Sequence, residues 1–433
     1  MTTRRNGLLG VSCWALPLVL IVLVGAAATI GAAAPTLDKP AVKIGVAAAL
    51  KMPFGQASVR GAEMAVKEIN DAGGVLGAKL ELVTADTEAT APKATEAIEK
   101  LVYRDKVDAI VGAYSSEEAT AFQQQSAKLK LIMVFHGTTH ILDDNYRASP
   151  EKYKYYWNYM LSDVHYATYV KDFQLGFLVE ALKKQLGLSK VNVAVLTDAA
   201  LWTELMHPRF QEAVKARSDA TLVHVGRISR DAVDFTAELT EMRNKNVQLV
   251  LCACGYSAGY TLIKQAYDVR LPALFAGMIT LSWSTSDFIK AVGVEAAAYT
   301  VSMSFGTMPT TPHTAKLIQQ YAQVYGGSPH ADVGPTYDGV KVYAQAVKMA
   351  GSLDKDKVAD ALKKVRLPES EAWGAKEFRF DEAHRVWVAQ KDGMIIYSYQ
   401  YKPDGKVVLL APAEYKTGDL ALPAYMLEAW KKK

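Results

Sequence analysis

Short apolar runs alternate with segments of helical period along almost the whole chain. From Lys43, "KIGVAAAL" has the character of a buried strand, and in Ala57 to Asp71 the residues Val59, Ala62, Val66 and Ile69 fall on one helical face. Gly73, Gly74 and Gly77 then end that helix. The same order continues with "KLELVTAD", a helix over Thr90 to Asp105 turning Ala94, Ile98, Leu101 and Val102 inward, "VDAIVG", a helix from Glu117 to Lys128, and "LIMVF". Strand and helix alternating at this length predict a parallel sheet with helices on both faces.

After an aromatic-rich bridge, "YKYYWNYM", the order restarts: "VNVAVL", a helix over Trp202 to Ala216, "TLVHVG", a helix over Asp234 to Asn244, "VQLVLCAC", a helix from Ser257 to Val269, and "ALFAG". A third section carries helices at Thr314 to Tyr325, Tyr337 to Ala350 and Asp354 to Val365, then strands in "FRFD", "GMIIYSYQY" and "KVVLLAP". Those late helices need a sheet to cover, so the chain is expected to return to the first unit before ending on the second. The prediction is an α/β fold of two doubly wound parallel-sheet lobes joined by several crossings.

Composition adds three constraints. Fifty per cent apolar residues in a chain of 433 would fill two cores. Residues 1–34 place Arg4 and Arg5 before an uncharged stretch with an apolar centre and a small-residue end, the order of an export signal peptide, which would place the mature protein outside the cytoplasm. Without that segment the net charge falls from +4 to about +2, which argues against a nucleic-acid partner. Cys252 and Cys254 then remain, two apart on one strand face, a spacing that reads as too long for an ordinary disulfide. They are expected to be core residues, with no metal site and no cofactor.

In open parallel sheets the ligand crevice lies beyond the carboxyl ends of the strands. That rule selects "AYSSEEA", where Ser115 or Ser116 caps a helix opening with Glu117 and Glu118, and where hydroxyls at a helix N-terminus suit a carboxylate. It also selects "HGTTH", in which Thr138 and Thr139 offer donors and His136 and His140 are expected to be structural or solvent-facing. From the second unit it selects Trp202, at a helix start, and Tyr256, after "VLCAC". Gly255-Tyr256-Ser257-Ala258-Gly259 has the strand, G-x-S-x-G, helix context of a hydrolase nucleophile elbow, with His313, His330 and His384 downstream of Ser257. A hydrolase sheet is single and continuous, whereas this chain winds twice, so a serine hydrolase stands second. A ligand-sensing domain acting with a signalling partner is a further alternative.

The stretches "GAEMAVKEINDAGGVLGAKLELVTAD", "KLVYRDKVDAIVGAYSSEEA", "VDFTAELTEMRNKNVQLVL" and "PTYDGVKVYAQAVKMAGSLD" resemble the leucine/isoleucine/valine-binding family of type I periplasmic solute-binding proteins of branched-chain amino-acid ABC transporters. The resemblance implies a non-enzymatic monomer with three hinge crossings, 41–157 plus 306–371 forming one lobe and 158–305 plus 372–433 the other. It also implies a small carboxylate ligand bound by hinge closure and an ABC permease as partner. Ser116 would bind the ligand carboxylate, Gly137 and Thr139 would add contacts, Trp202 and Tyr256 would cover the ligand, and Phe54 would stand in the first loop. The family's ammonium-binding glutamate is matched by Ile279, which cannot pair with a cation. That weakens the specific amino-acid reading. Asp338 is the candidate substitute, although a carboxylate favoured by a helix N-terminus is the better explanation of it. The bridge aromatics, together with Trp202, would suit an aromatic or otherwise apolar acid if they lined the cleft, or else they pack the first crossing.

Overall fold

The computed structural model describes residues 36–389 and 392–431, so the expected signal peptide lies outside the described residues. The first sheet holds β1 (Ala41–Ala48), β2 (Lys79–Asp86), β3 (Ala109–Gly112), β4 (Met133–Phe135) and β5 (Tyr156–Asn158), all parallel, in the order β2-β1-β3-β4-β5. The second holds β6 (Val191–Asp198), β7 (Ala220–Ile228), β8 (Leu249–Cys254), β9 (Leu274–Ile279) and β10 (Val301–Ser304), parallel to one another. A small hairpin, β11 (Leu367–Pro368) with β12 (Glu377–Phe378), precedes β13 (Tyr397–Tyr401) and β14 (Val407–Ala411), which extend the second sheet antiparallel in the order β14-β13-β10-β9-β8-β6-β7.

The chain crosses from the first sheet to the second after β5. It returns after β10 in helices Pro312–Tyr325, Val333–Ala350 and Lys355–Leu362, and crosses again to reach β13. Helix Val333–Ala350 packs on the first-lobe helix Pro53–Asp71 so closely that a Cβ added to Gly61 would lie 2.2 Å from the Val333 carbonyl oxygen. The approach explains why the inner stripe of the earlier helix is small: Ala57, Ser58, Gly61, Ala62 and Ala65 are buried, while Val59 and Val66 sit at its margin. β3, β4 and β8 are buried along their whole length, as expected of strands covered on both faces.

Four local expectations are corrected, and one of two open alternatives, for the bridge aromatics, is observed. Helix Val333–Ala350 begins four residues before Tyr337 because Pro335 fits a first helical turn. Pro208 likewise sits in the first turn of helix Met206–Lys215, so Trp202 lies instead in a separate turn, Leu201–Thr203. The bridge aromatics supply an edge strand and pack the crossing: Tyr155, Tyr156, Trp157 and Tyr159 are buried in the core, so an aromatic-lined cleft does not form from them. Residues 384–386 pair along the outer edge of β5, with Asn158 N–H donating to the His384 carbonyl at 2.8 Å and Val386 N–H to the Asn158 carbonyl at 2.7 Å. The chain after 372 therefore first covers the open edge of the first sheet, whose unpaired main-chain groups need partners. Finally, Cys252 and Cys254 are joined by a disulfide. Both side chains leave the same strand face, and their Cα atoms stand 5.9 Å apart, inside the range a disulfide spans.

Candidate ligand-binding site

A cavity lies between the carboxyl ends of the two sheets, lined by Tyr114, Ser115, Ser116, His136 and Thr138 from one side and Trp202, Gly255, Tyr256, Met278, Thr280 and Trp283 from the other. An outer chamber shares several of these residues and adds Met52, Phe54, Arg230, Tyr260, Ser284 and His330.

The first wall is built on a strand end followed by a capped helix. Ser115 is the cap of helix Ser116–Leu129: its hydroxyl accepts from Glu118 N–H at 3.2 Å, and Glu118 accepts from Ser115 N–H at 2.9 Å and Tyr114 N–H at 3.2 Å. Thr87 donates to the other Glu118 oxygen. Burial nevertheless raises the Glu118 carboxyl above its ordinary value, against those hydrogen bonds. With Ser115 occupied by the cap, the buried Ser116 Oγ has no hydrogen-bond partner among the described residues. Phe54 stacks on Tyr114 with centroids 3.8 Å apart, closing the wall toward the outer chamber.

His136 follows β4. Its Nδ1 is 2.6 Å from Asp332 and its Nε2 is 3.3 Å from Thr138 Oγ1. The other Asp332 oxygen lies 2.9 Å from His330 Nδ1. Burial pushes the Asp332 carboxyl up, but the two imidazoles, His136 foremost, outweigh it and bring it down to about 2.

The second wall is aromatic. Trp202 comes from the turn after β6, and Trp283, fixed by its Nε1–H donating to the Met303 carbonyl at 2.8 Å, comes from the turn after β9. Asp198, the last residue of β6, accepts from Gly255 N–H at 2.6 Å. A Cβ on Gly255 would meet Thr280 Oγ1 at 2.7 Å and the Trp202 ring at 3.2 Å, so the close packing of this wall requires glycine there. Burial lifts the Asp198 carboxyl to about 7, opposed by the Gly255 N–H and by Arg230. Arg230 lies over the Tyr256 ring at 4.0 Å and pairs at 2.8 Å with Glu117 of the first wall.

Of the residues expected from the sequence, the cavity brings together Ser115, Ser116, Thr138, Trp202 and Tyr256, with Phe54 in the outer chamber. Gly137 and Thr139 do not line it: their carbonyls accept from Arg385 at 2.7 and 3.1 Å, and Thr139 Oγ1 accepts from Ile141 N–H at 3.3 Å. Ile279 points into the second-lobe core, because side chains alternate along β9 and its neighbours Met278 and Thr280 take the cavity face. Asp338 lies in the second turn of helix Val333–Ala350, away from the cavity, where it accepts from Trp373 N–H at 2.8 Å. Burial raises its carboxyl well above the ordinary value. His140 pairs with Asp163 at 2.8 Å, a structural role, whereas His136 stands on the wall itself. Ser257 precedes helix Ala258–Asp268 and borders only the outer chamber.

Sequence reasoning missed Tyr114, Met278, Thr280 and Trp283. The strand-end rule that found Trp202 also covers Trp283 in "TLSW". No carboxylate belongs to the residues lining the inner cavity.

A family model for periplasmic binding proteins matches residues 41–406. The chain is similar to Leu/Ile/Val-binding protein homolog 7 of Brucella abortus, 26% identical over 426 residues that cover 93% of this chain and 99% of that protein. It is also similar to the leucine-, isoleucine-, valine-, threonine-, and alanine-binding protein of Pseudomonas aeruginosa, 26% identical over 352 residues, 79% of this chain and 87% of that one. Among solved structures, the branched-chain amino acid transporter substrate binding protein LivJ of Streptococcus pneumoniae, in complex with isoleucine, superposes with a TM-score of 0.72 at 21% identity, covering 86% of this chain and 100% of that one. The solute-binding protein of an ABC transporter from R. palustris, in complex with benzoate, superposes with a TM-score of 0.69 at 18% identity, covering 88% and 99%. These two likenesses bear out the expected two-lobe fold.

Proposed function

Because the chain belongs to the periplasmic binding protein family, we propose that it is the extracytoplasmic substrate-binding component of an ABC-type importer of the branched-chain amino-acid class. It works as a monomer exported by its N-terminal signal and delivers its ligand to a membrane permease. The ligand is a small apolar or aromatic carboxylate without an α-ammonium group.

One observation carries the ligand class: among the described residues, the cavity offers a buried, unpartnered hydroxyl on Ser116 and no carboxylate on its lining. A carboxylate would satisfy that hydroxyl through a charge-assisted hydrogen bond. An ammonium would be buried with no counter-charge, at a cost of several kcal/mol. Trp202, Tyr256 and Trp283 supply flat apolar area for the body of the ligand, and the benzoate held by the R. palustris protein is a ligand of this chemistry. Contacts to both walls at once favour the closed form, so ligand shifts the lobes toward closure about the three crossings. Membership of a solute-binding family favours a binding role over the serine-hydrolase alternative.

Thermal shift of the purified protein against benzoate, other aromatic and aliphatic monocarboxylates, L-leucine and L-isoleucine tests this. The monocarboxylates are expected to raise the melting temperature by mass action and the amino acids to leave it unchanged. A shift confined to the amino acids would overturn the exclusion of an ammonium, and no shift with any carboxylate would overturn the ligand class.

A further inference from the structure

We infer that Arg385 is a positioning residue for the ligand cavity: its buried guanidinium, carried on the segment that follows the late helices, fixes the main chain of the 136–140 loop from behind. Arg385 is fully buried. Nε donates to Asp143 at 2.8 and 2.9 Å, and Nη2 is 2.8 Å from the same carboxylate. Nη1 donates to the carbonyls of Gly137 and Met160, both at 2.7 Å, and Nη2 donates to the Thr139 carbonyl at 3.1 Å. Four of the five guanidinium hydrogens thus have hydrogen-bond acceptors, and Nη2 also stands beside the Asp143 carboxylate, in the planar fork that only arginine provides.

The acceptors bracket the cavity wall. Gly137 and Thr139 flank Thr138, whose side chain lines the cavity, and the Thr138 carbonyl accepts from Asp163 N–H at 2.7 Å. Three consecutive carbonyls are therefore engaged by donors, two of them by one side chain more than 240 positions downstream, with Asn158 Nδ2 also donating to the Gly137 carbonyl at 2.7 Å. Met160 belongs to the first crossing, so the same group also ties that crossing to the loop. Arg385 is itself fixed. Its N–H donates to Asp381 at 3.0 Å, and the preceding His384 stacks on Trp157 with centroids 3.6 Å apart and contacts the Tyr146 hydroxyl at 2.8 Å.

The significance of the role rests on the inner cavity being the ligand site, but its test does not need a ligand. Hydrogen–deuterium exchange of the full chain is compared between wild type and Arg385→Lys. Lysine keeps a positive charge for Asp143 but cannot serve three carbonyls and a carboxylate from one nitrogen. Peptides over 136–142 and 158–163 are expected to exchange about tenfold faster, while those over β1 and β8 keep their wild-type rates. An unchanged 136–142, or an equal rise in every peptide, would overturn the positioning role. Should Arg385→Lys fail to fold, Asp143→Asn serves instead. It leaves the guanidinium on the three carbonyls, so helix Ile141–Ala148 is expected to loosen with 136–140 unchanged, and loosening of 136–140 would overturn the inference. Exchange is read without ligand, so a failed carboxylate screen and a failed exchange test are separate results.

Discussion

Asp332 stands behind the first wall of the cavity and Asp198 behind the second, both buried, and their surroundings drive them in opposite directions. Two imidazoles flank Asp332 and hold its carboxyl at about 2. Asp198 has main-chain N–H donors at short range and an arginine only at a distance, so burial carries it up to about 7. The walls differ in the same sense. Hydroxyls, a histidine and a helix N-terminus make the first a place for charge, whereas Trp202, Tyr256 and Trp283 make the second a cover for apolar area. On the proposed function, the division would assign orientation of the ligand to the first wall and closure to the second.

The strongest challenge to this comparison is Asp332→Ala. Removing one partner of a buried ionic cluster leaves the others unpaired, and the unfolding free energy is expected to drop by about 3 kcal/mol in urea titrations at neutral pH. The folded carboxyl titrates below its unfolded value, so its contribution is present above about pH 4 and is lost as pH falls toward about 2. The wild type should lose that increment over this window, and the variant should not.

Asp198→Asn probes the opposite wall with the opposite sign. A carboxyl raised in the folded state contributes stability fully below its unfolded value near 4, and the contribution is lost as pH rises through about 7. Wild-type stability should therefore decline by about 3 kcal/mol from this group between pH 4 and pH 7, and the asparagine variant should flatten that slope in the same titration. Equal slopes in the two proteins would remove the contrast between the walls.

The finest test is Ser116→Ala. The hydroxyl has no partner among the described residues, so its loss should leave the melting temperature in place. Affinity for the carboxylate identified by thermal shift should weaken by about 1 to 2 kcal/mol in calorimetry. Unchanged affinity would take the ligand's charge away from the first wall.

Much of the fold was legible because fully buried parallel strands are short apolar runs, and β1, β3, β4, β6 and β8 all read that way. β5 was not, since "YWN" within a polar and aromatic bridge carries no strand period and forms only because the edge of β4 needs a partner. The strand-end rule located the walls but could not fix the phase of a side chain at a strand end. Alternation along β9 exchanges Ile279 for Met278 and Thr280, and the carbonyl-fixed 137–139 loop presents Thr138 rather than its neighbours. Pairings such as His136 with Asp332, 196 residues apart, leave no local pattern to read.

The ion pair between Glu117 and Arg230 joins the two walls at 2.8 Å across the mouth of the cavity. Both side chains keep substantial exposure, 31% for Glu117 and 40% for Arg230, so the pair contributes under about 1 kcal/mol and is screened by salt. A link that small cannot hold the lobes shut alone, yet it biases the empty protein toward the shape that ligand prefers. The ionic strength of the surroundings thereby sets how often an unloaded molecule imitates a loaded one.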